Sequence, residues 1–413
     1  MHWKDIWIGL DVLFLVPFTF LFVMAAFPDG PPVQDQDLQL REVPLPAAQN
    51  AYPLYQEIAD RVKASGYREE SLPKPAAFID VKPFDPRTID PLVQQNQVAL
   101  KVLKQALSRK GVRRTTVTDL MNPPWFLDEV SSLSNLYAFQ GKAYLQRNQL
   151  AAARQVGFDL LRLGQQLSDL KTLLACSIGM LQQSQGIVLL HDWLGKIPLT
   201  ASEAKATLKE LAFYHSFKPQ LKQCFCAEYQ FYKTVIKKQH DGWIPYAYKP
   251  NETFNLLAQQ SRLILANMDL PLNSQMSYPL QTMPWWEFLL PNGPGKALVN
   301  AATPRSSSLF FHFLTQETAM GVLETAVAMR GYRAEHGAYP HSLNALVPGY
   351  LKVVPTDWFD GQPLRYDPMA RRIYSIGWNQ TAPRSPEQQK NDTPEVEAVR
   401  KKRQEKLLTF TLP

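Results

Sequence analysis

Apolar residues return every three or four positions along most of this chain, the spacing of helices with one buried face. Leu54, Ile58 and Val62 mark a short helix that closes near Gly66. Val93, Leu100, Leu103 and Leu107 mark a second over Thr88–Lys110, with Gly111 as its stop. Helices are then expected over Ser132–Arg147, Ala151–Leu167 and Leu170–Gly195. The residues TASE from Thr200 form a capping box, in which Glu203 reaches back to the helix start. Two more helices follow, Lys218–His240 and Phe254–Asp269. In the first of these, Phe225, Tyr229, Tyr232 and Val235 form an apolar stripe, read as core packing.

The pattern changes within 317–377. Met320, Leu323 and Val327 line one helix face, and Gly337 ends that helix with a positive φ. Tyr339-Pro340 turns the chain out of it. Leu343 and Leu346 space a short helical turn, and Pro355, Asp357, Asp360 and Gly361 punctuate a tight loop. Leu364–Tyr366 and Ile373–Ser375 alternate like paired strands across the turn DPMARR.

One run has no polar face. Ile6–Phe27 is about 22 residues, or about 33 Å as a helix, enough for a bilayer core. Asp11 and Pro17 are its only awkward positions. A cleaved signal peptide is the competing reading, but its apolar region is usually shorter and ends in small residues. Lys4 precedes the run, and Asp29, Asp35 and Asp37 follow it. A cytoplasmic N-terminus with the bulk outside is therefore expected. Residues 28–50 read as a Pro- and Gln-rich linker and 381–413 as a charged tail with a short surface helix. The cluster Trp285, Trp286 and Phe288 lies between prolines. It is either a loop pinned by its aromatics or a membrane-interface loop.

With 413 residues and 45% hydrophobic composition, the chain has enough apolar material for two or three domains. The net charge of +7 is spread along the sequence and is no footprint for nucleic acid. Cys176, Cys224 and Cys226 form no CxxC pair and read as free thiols. The seven histidines make no HExxH, and His336 and His341 suggest no third ligand, so no metal or other cofactor is expected. There is no nucleophile elbow and no phosphate loop. His191-Asp192 and His240-Asp241 are sequence neighbours, which is not how a triad pair approaches. No catalytic residue is assigned, and the question of an enzyme stays open with a leaning towards none.

Three resemblances follow from these residues. The hairpin around Gly141, Ala143 and Ala152 resembles a tetratricopeptide-like unit, without a repeat at fixed period. The residues Tyr332, Gly337, Tyr339, Pro340, Leu343, Leu346, Val347, Pro348, Tyr350 and Leu351 resemble the globular domain of type II secretion major pseudopilins. So do Pro355, Asp357, Phe359, Asp360, Gly361, Pro363, Tyr366, Tyr374, Ser375 and Gly377. That likeness covers about 60 of 413 residues. It implies a helix-plus-sheet module made for subunit contacts. Trp358 stands where that family has proline. Residues 378–382 carry no acidic side chain, which removes the family's calcium site. About 290 residues separate the apolar run from the C-terminal helix, and no prepilin processing site is present, so pilin-type polymerisation is not implied. The whole chain also resembles bacterial membrane-anchored proteins with a helical middle domain, which bring no activity with them.

The expected fold is mainly α, with one N-terminal transmembrane helix, a helical-hairpin domain and a C-terminal α+β module with a small antiparallel sheet. The expected parts are a cytoplasmic start and anchor at 1–27, the linker at 28–50 and an extracytoplasmic helical domain at 51–314. A pseudopilin-like module at 315–380 and the tail at 381–413 complete it. The expected role is a non-enzymatic interaction or assembly factor of the bacterial inner membrane, facing the periplasm and tied to a secretion or pilus-like system. Its partners would be the bilayer through residues 6–27 and other envelope proteins, with no nucleic acid. The alternative is an envelope hydrolase or ligand-binding protein with an interdomain cleft. Tyr339, Pro340, Asp357, Trp358, Phe359, Asp360 and Gly361 are the candidate interaction motif, and Trp285, Trp286 and Phe288 the candidate membrane-interface group.

Overall fold

The computed structural model describes residues 29–40, 45–72, 84–114, 124–241, 249–276, 292–302, 307–379 and 394–413. The apolar run 6–27, the Trp285 cluster and 380–393 lie outside them. The chain is mainly helical, with a small antiparallel sheet near its C-terminus. It forms two compact units.

Of the described residues, the smaller unit holds 29–40, 225–241, 249–269, 276 and 292–302. Its core gathers Leu38, Tyr229, Ile236, Phe254, Leu257, Ala258 and Val299. The stripe expected around Tyr229 is thus core. Asp35 fastens the N-terminal strand of chain here: its carboxylate accepts from the Tyr229 hydroxyl at 2.5 Å and the Lys233 ammonium at 2.6 Å.

The larger unit begins with α1 (Tyr52–Ser65), capped by Gly66 at φ 69°. The single helix expected over Thr88–Lys110 is two, α2 (Asp90–Gln95) and α3 (Gln97–Leu107). Asn96 breaks it. Its buried side-chain amide donates to the Leu92 carbonyl at 3.0 Å and its oxygen accepts from Ser65 at 2.9 Å, bonds that compete with the helix backbone. Gly111 is not the stop; it bridges to Asn50 in parallel pairing.

Next come α4 (Leu127–Gln146), α5 (Leu150–Ser168) and α6 (Leu173–Lys196). α4 starts five residues before the expected Ser132, with Asp128 and Glu129 in a first turn that favours acidic side chains. Glycine lets α5 and α6 touch backbone to backbone. A Cβ on Gly179 would lie 2.5 Å from the Gly164 carbonyl oxygen, and one on Gly186 2.7 Å from that of Gly157. Gly141 of α4 instead makes room for the side chains of Leu189 and Val156. α6 is long and apolar enough to cross a membrane, yet most of it is buried in this core. A helix apolar all round is what a central core position requires.

α7 (Ala201–Leu211) carries the expected capping box of Thr200 and Glu203. α8 (Lys218–Asp241) passes at Phe225 into the smaller unit, where α9 (Pro250–Asn267) and α10 (Gly293–Ala302) follow. α11 (Ser307–His336) packs on α6 and α7 in the larger unit. Ala319, Met320, Val322, Leu323, Ala326 and Val327 are all buried along it. Gly337 then turns at φ 79°, as expected.

The sheet has the order β1-β2-β3, with β1 at Arg365–Asp367, β2 at Arg372–Tyr374 and β3 at Thr409–Thr411. Tyr366 pairs with Ile373, and Ile373 with Phe410. The first two strands sit within one residue of expectation. The third does not come from the charge pattern, which suggested only a tail. After α12 (Pro394–Leu408) the chain turns in as β3, and Leu407, Leu408, Phe410 and Leu412 join the core.

Candidate interaction motif of the C-terminal module

Asp357 organises the loop that the sequence singled out. Its side chain is fully buried, and four donors meet its carboxylate. Oδ1 accepts from the Ser375 hydroxyl at 2.8 Å and the Phe359 N–H at 3.1 Å. Oδ2 accepts from Arg365 Nη1 at 2.6 Å and the Ile376 N–H at 2.9 Å. A buried carboxylate is tolerable only with such compensation. The chain folds back because Gly361, at φ 78°, lets its N–H return to the Asp357 carbonyl at 2.8 Å. Arg365 also holds Asp360. Burial opposes the Asp360 charge, but Arg365 and the Gln362 N–H outweigh it and keep that carboxyl below its usual range.

Phe359 is buried edge-on to Phe311, with ring centroids 5.5 Å apart. Its ring lies against the α-carbon of Gly377, which leaves no room for a side chain there. Trp358 is half-buried. Its backbone N–H donates to Thr318 Oγ1 at 3.2 Å, and the Lys218 ammonium lies 4.1 Å from its ring centre. Tyr339 donates its hydroxyl to the Pro413 carbonyl at 3.1 Å and has the Arg333 guanidinium 4.9 Å over its ring. Pro340 is buried. The motif is therefore largely an internal scaffold. Asp357, Phe359 and Pro340 face inward, and the outward apolar groups are others: Met369 at the hairpin tip, 97% exposed, and Val353, 71% exposed.

Three polar groupings in the larger unit escaped the sequence reading. Glu317 and Glu324 of α11 reach the α7–α8 connection, where Glu324 meets His215 and Glu317 meets Ser216 and Phe217. Two glutamates seven residues apart in an apolar helix were the available signal. Asp192 bridges Lys142 and Lys406. Burial, opposed by Asp192 and helped by Lys406, brings the Lys142 ammonium down to about 8. His191 turns the other way, its Nδ1 3.2 Å from the Lys406 carbonyl and its ring 5.1 Å from that of Phe410. An open groove of about 680 Å³ runs past Lys63, Tyr67, Glu69, Glu70, Asp128 and Glu129. Along it Lys63 pairs with Glu129 at 3.1 Å, and Ser132 and Asn135 both donate to Glu69.

His336 stacks on Tyr332 at 4.0 Å between ring centres. Among the described residues no three His, Cys, Asp or Glu side chains converge as a metal site, and Cys176, Cys224 and Cys226 are not joined in disulfides. Comparison of the chain with protein families, with curated proteins and with solved structures finds no match.

Proposed function

We propose that this chain is a membrane-anchored protein of the bacterial envelope that works by contact rather than catalysis. Residues 6–27 serve as the anchor, the bulk lies on the periplasmic side, and the C-terminal module docks components of a secretion or pilus-like assembly. The observation that carries this reading is the build of that module. A 30-residue helix, α11, packs against a three-stranded antiparallel sheet through β2 and β3. A pilin-like globular domain has this arrangement, and its usual task is to contact neighbouring subunits. The buried Asp357–Arg365–Ser375 cluster makes the loop rigid, and a rigid support is what a docking surface needs. Met369 and Val353 stand outside that scaffold as apolar contact groups.

In-cell crosslinking with mass spectrometry tests the role. Recovery of envelope proteins linked near the β1–β2 hairpin is expected; self-links alone would overturn it. Topology has its own test. Alkaline phosphatase fused after Pro413 should be active, and an inactive but well-expressed fusion would sink the periplasmic assignment.

A further inference from the structure

The connection Ala212–Phe217, between α7 and α8, is held from two sides. On one side Gln165 of α5 donates to the Phe213 carbonyl at 2.9 Å. Tyr214 packs on Phe158, 6.3 Å between ring centres, with Arg162, Glu210 and Asp159 around its hydroxyl. On the other side stand two buried carboxylates of α11. Glu324 has both oxygens on His215 Nδ1, at 2.8 and 3.0 Å. Glu317 accepts the Phe217 N–H at 2.6 Å and the Ser216 hydroxyl at 2.9 Å. Glu317 thereby caps the start of α8 from another helix.

We propose that Ala212–Phe217 is a proton-operated latch, closed when His215 is charged and paired with Glu324 and loosened when it is neutral. The geometry gives the reason. A neutral imidazole offers Glu324 one N–H donor, whereas imidazolium adds a full charge to the same contact. The charged groups that face His215 are Glu324 and Glu317 on α11, with Lys218 beside Glu317 at the start of α8. Two anions against one lysine favour the imidazolium. Its bond to Glu324 is the largest influence, and it raises the His215 pKa although burial pulls the other way. Burial raises that of Glu317 too. Both groups hold protons more tightly when folded. The contribution of the His215–Glu324 pair is therefore full at low pH and is lost as pH rises through the folded value of His215. The latch closes on mild acidification. Opening it takes Lys218 off the Trp358 ring and uncaps the helix on which the chain leaves the larger unit.

His215 is 61% exposed, so the pair is screened and its effect modest. Hydrogen exchange of the full-length chain, followed by mass spectrometry on peptides covering 212–218, tests this. After correction for intrinsic exchange rates, the segment should exchange about two- to fivefold more slowly at pH 6 than at pH 8.5. His215→Gln and Glu324→Gln should each remove that difference while the hairpin 365–374 keeps its protection. Equal corrected rates in the wild type, or a difference that survives either substitution, would overturn the latch. Should a variant fail to fold, the wild-type comparison and the NMR titration of its His215 ring decide. A midpoint at or below about 6.5 for that ring overturns the proposal.

Discussion

Gly164 and Gly179 face each other across α5 and α6 with no side chain between them. A Cβ on Gly179 would stand 2.5 Å from the Gly164 carbonyl oxygen. Alanine at either site gains up to about 1 kcal/mol of helix propensity. It must also push two buried backbones apart, at about 1–3 kcal/mol. The second effect wins because both helices are fixed on their other faces. Gly179→Ala should lower the thermal midpoint. Gly195→Ala, on the same helix with nothing within 4 Å of its added carbon, should leave it unchanged or raise it. Differential scanning calorimetry on the two variants checks the pair.

Asp357 gathers Arg365, Ser375 and two backbone N–H groups. Asp357→Ala leaves all four donors without this acceptor, though Arg365 keeps Asp360. A loss of about 3–5 kcal/mol is expected, the cost of breaking a buried pair from one side. Ser375→Ala removes its bond to Asp357 and the one it accepts from the Gly377 N–H, and should cost about 2 kcal/mol. Urea titration of the two variants measures both, and equal losses would show that Asp357 is not the hub.

The C-terminal strand is structural. Phe410 is 7% exposed, pairs with Ile373 in register and lies beside the His191 ring. Phe410→Ala should cost about 3–5 kcal/mol and speed proteolysis of the C-terminal module. Met369→Ala, at the exposed hairpin tip, should change stability little and reduce crosslinking to partners. Limited trypsin digestion followed over time separates the two.

His191 is buried with Nδ1 on the Lys406 carbonyl and no partner for Nε2. Burial lowers its pKa to about 4. A histidine whose folded pKa lies below the ordinary 6.5 must lose its proton to fold. Its contribution is whole above about 6.5 and fades as pH falls towards 4. Between pH 7 and pH 5 this single group should cost about 2 kcal/mol. Denaturant titrations at the two pH values should show a smaller drop in His191→Gln than in the wild type, and parallel drops would exclude His191 as the cause.

Local information was enough for much of this chain. The capping box at Thr200, the glycine stops at Gly66 and Gly337 and the hairpin around Asp367 depend on residues a few positions apart. The pattern could therefore show them. The core stripe through Tyr229 was legible for the same reason, since burial of one helix face writes a period into the sequence. The motif of the C-terminal module was legible as a pattern, but its work was not. Asp357 looked like a contact residue, and only the fold brings Arg365, Ser375 and Ile376 to it. Tertiary packing decided the bond from Ser65 to Asn96 at the helix break, the glycine seam of α5 and α6, and the entry of Phe410 into the sheet. It also placed His215 on Glu324, 109 positions away. Each of these joins groups distant in sequence, and a partner's identity is not encoded in the period of the residues around it.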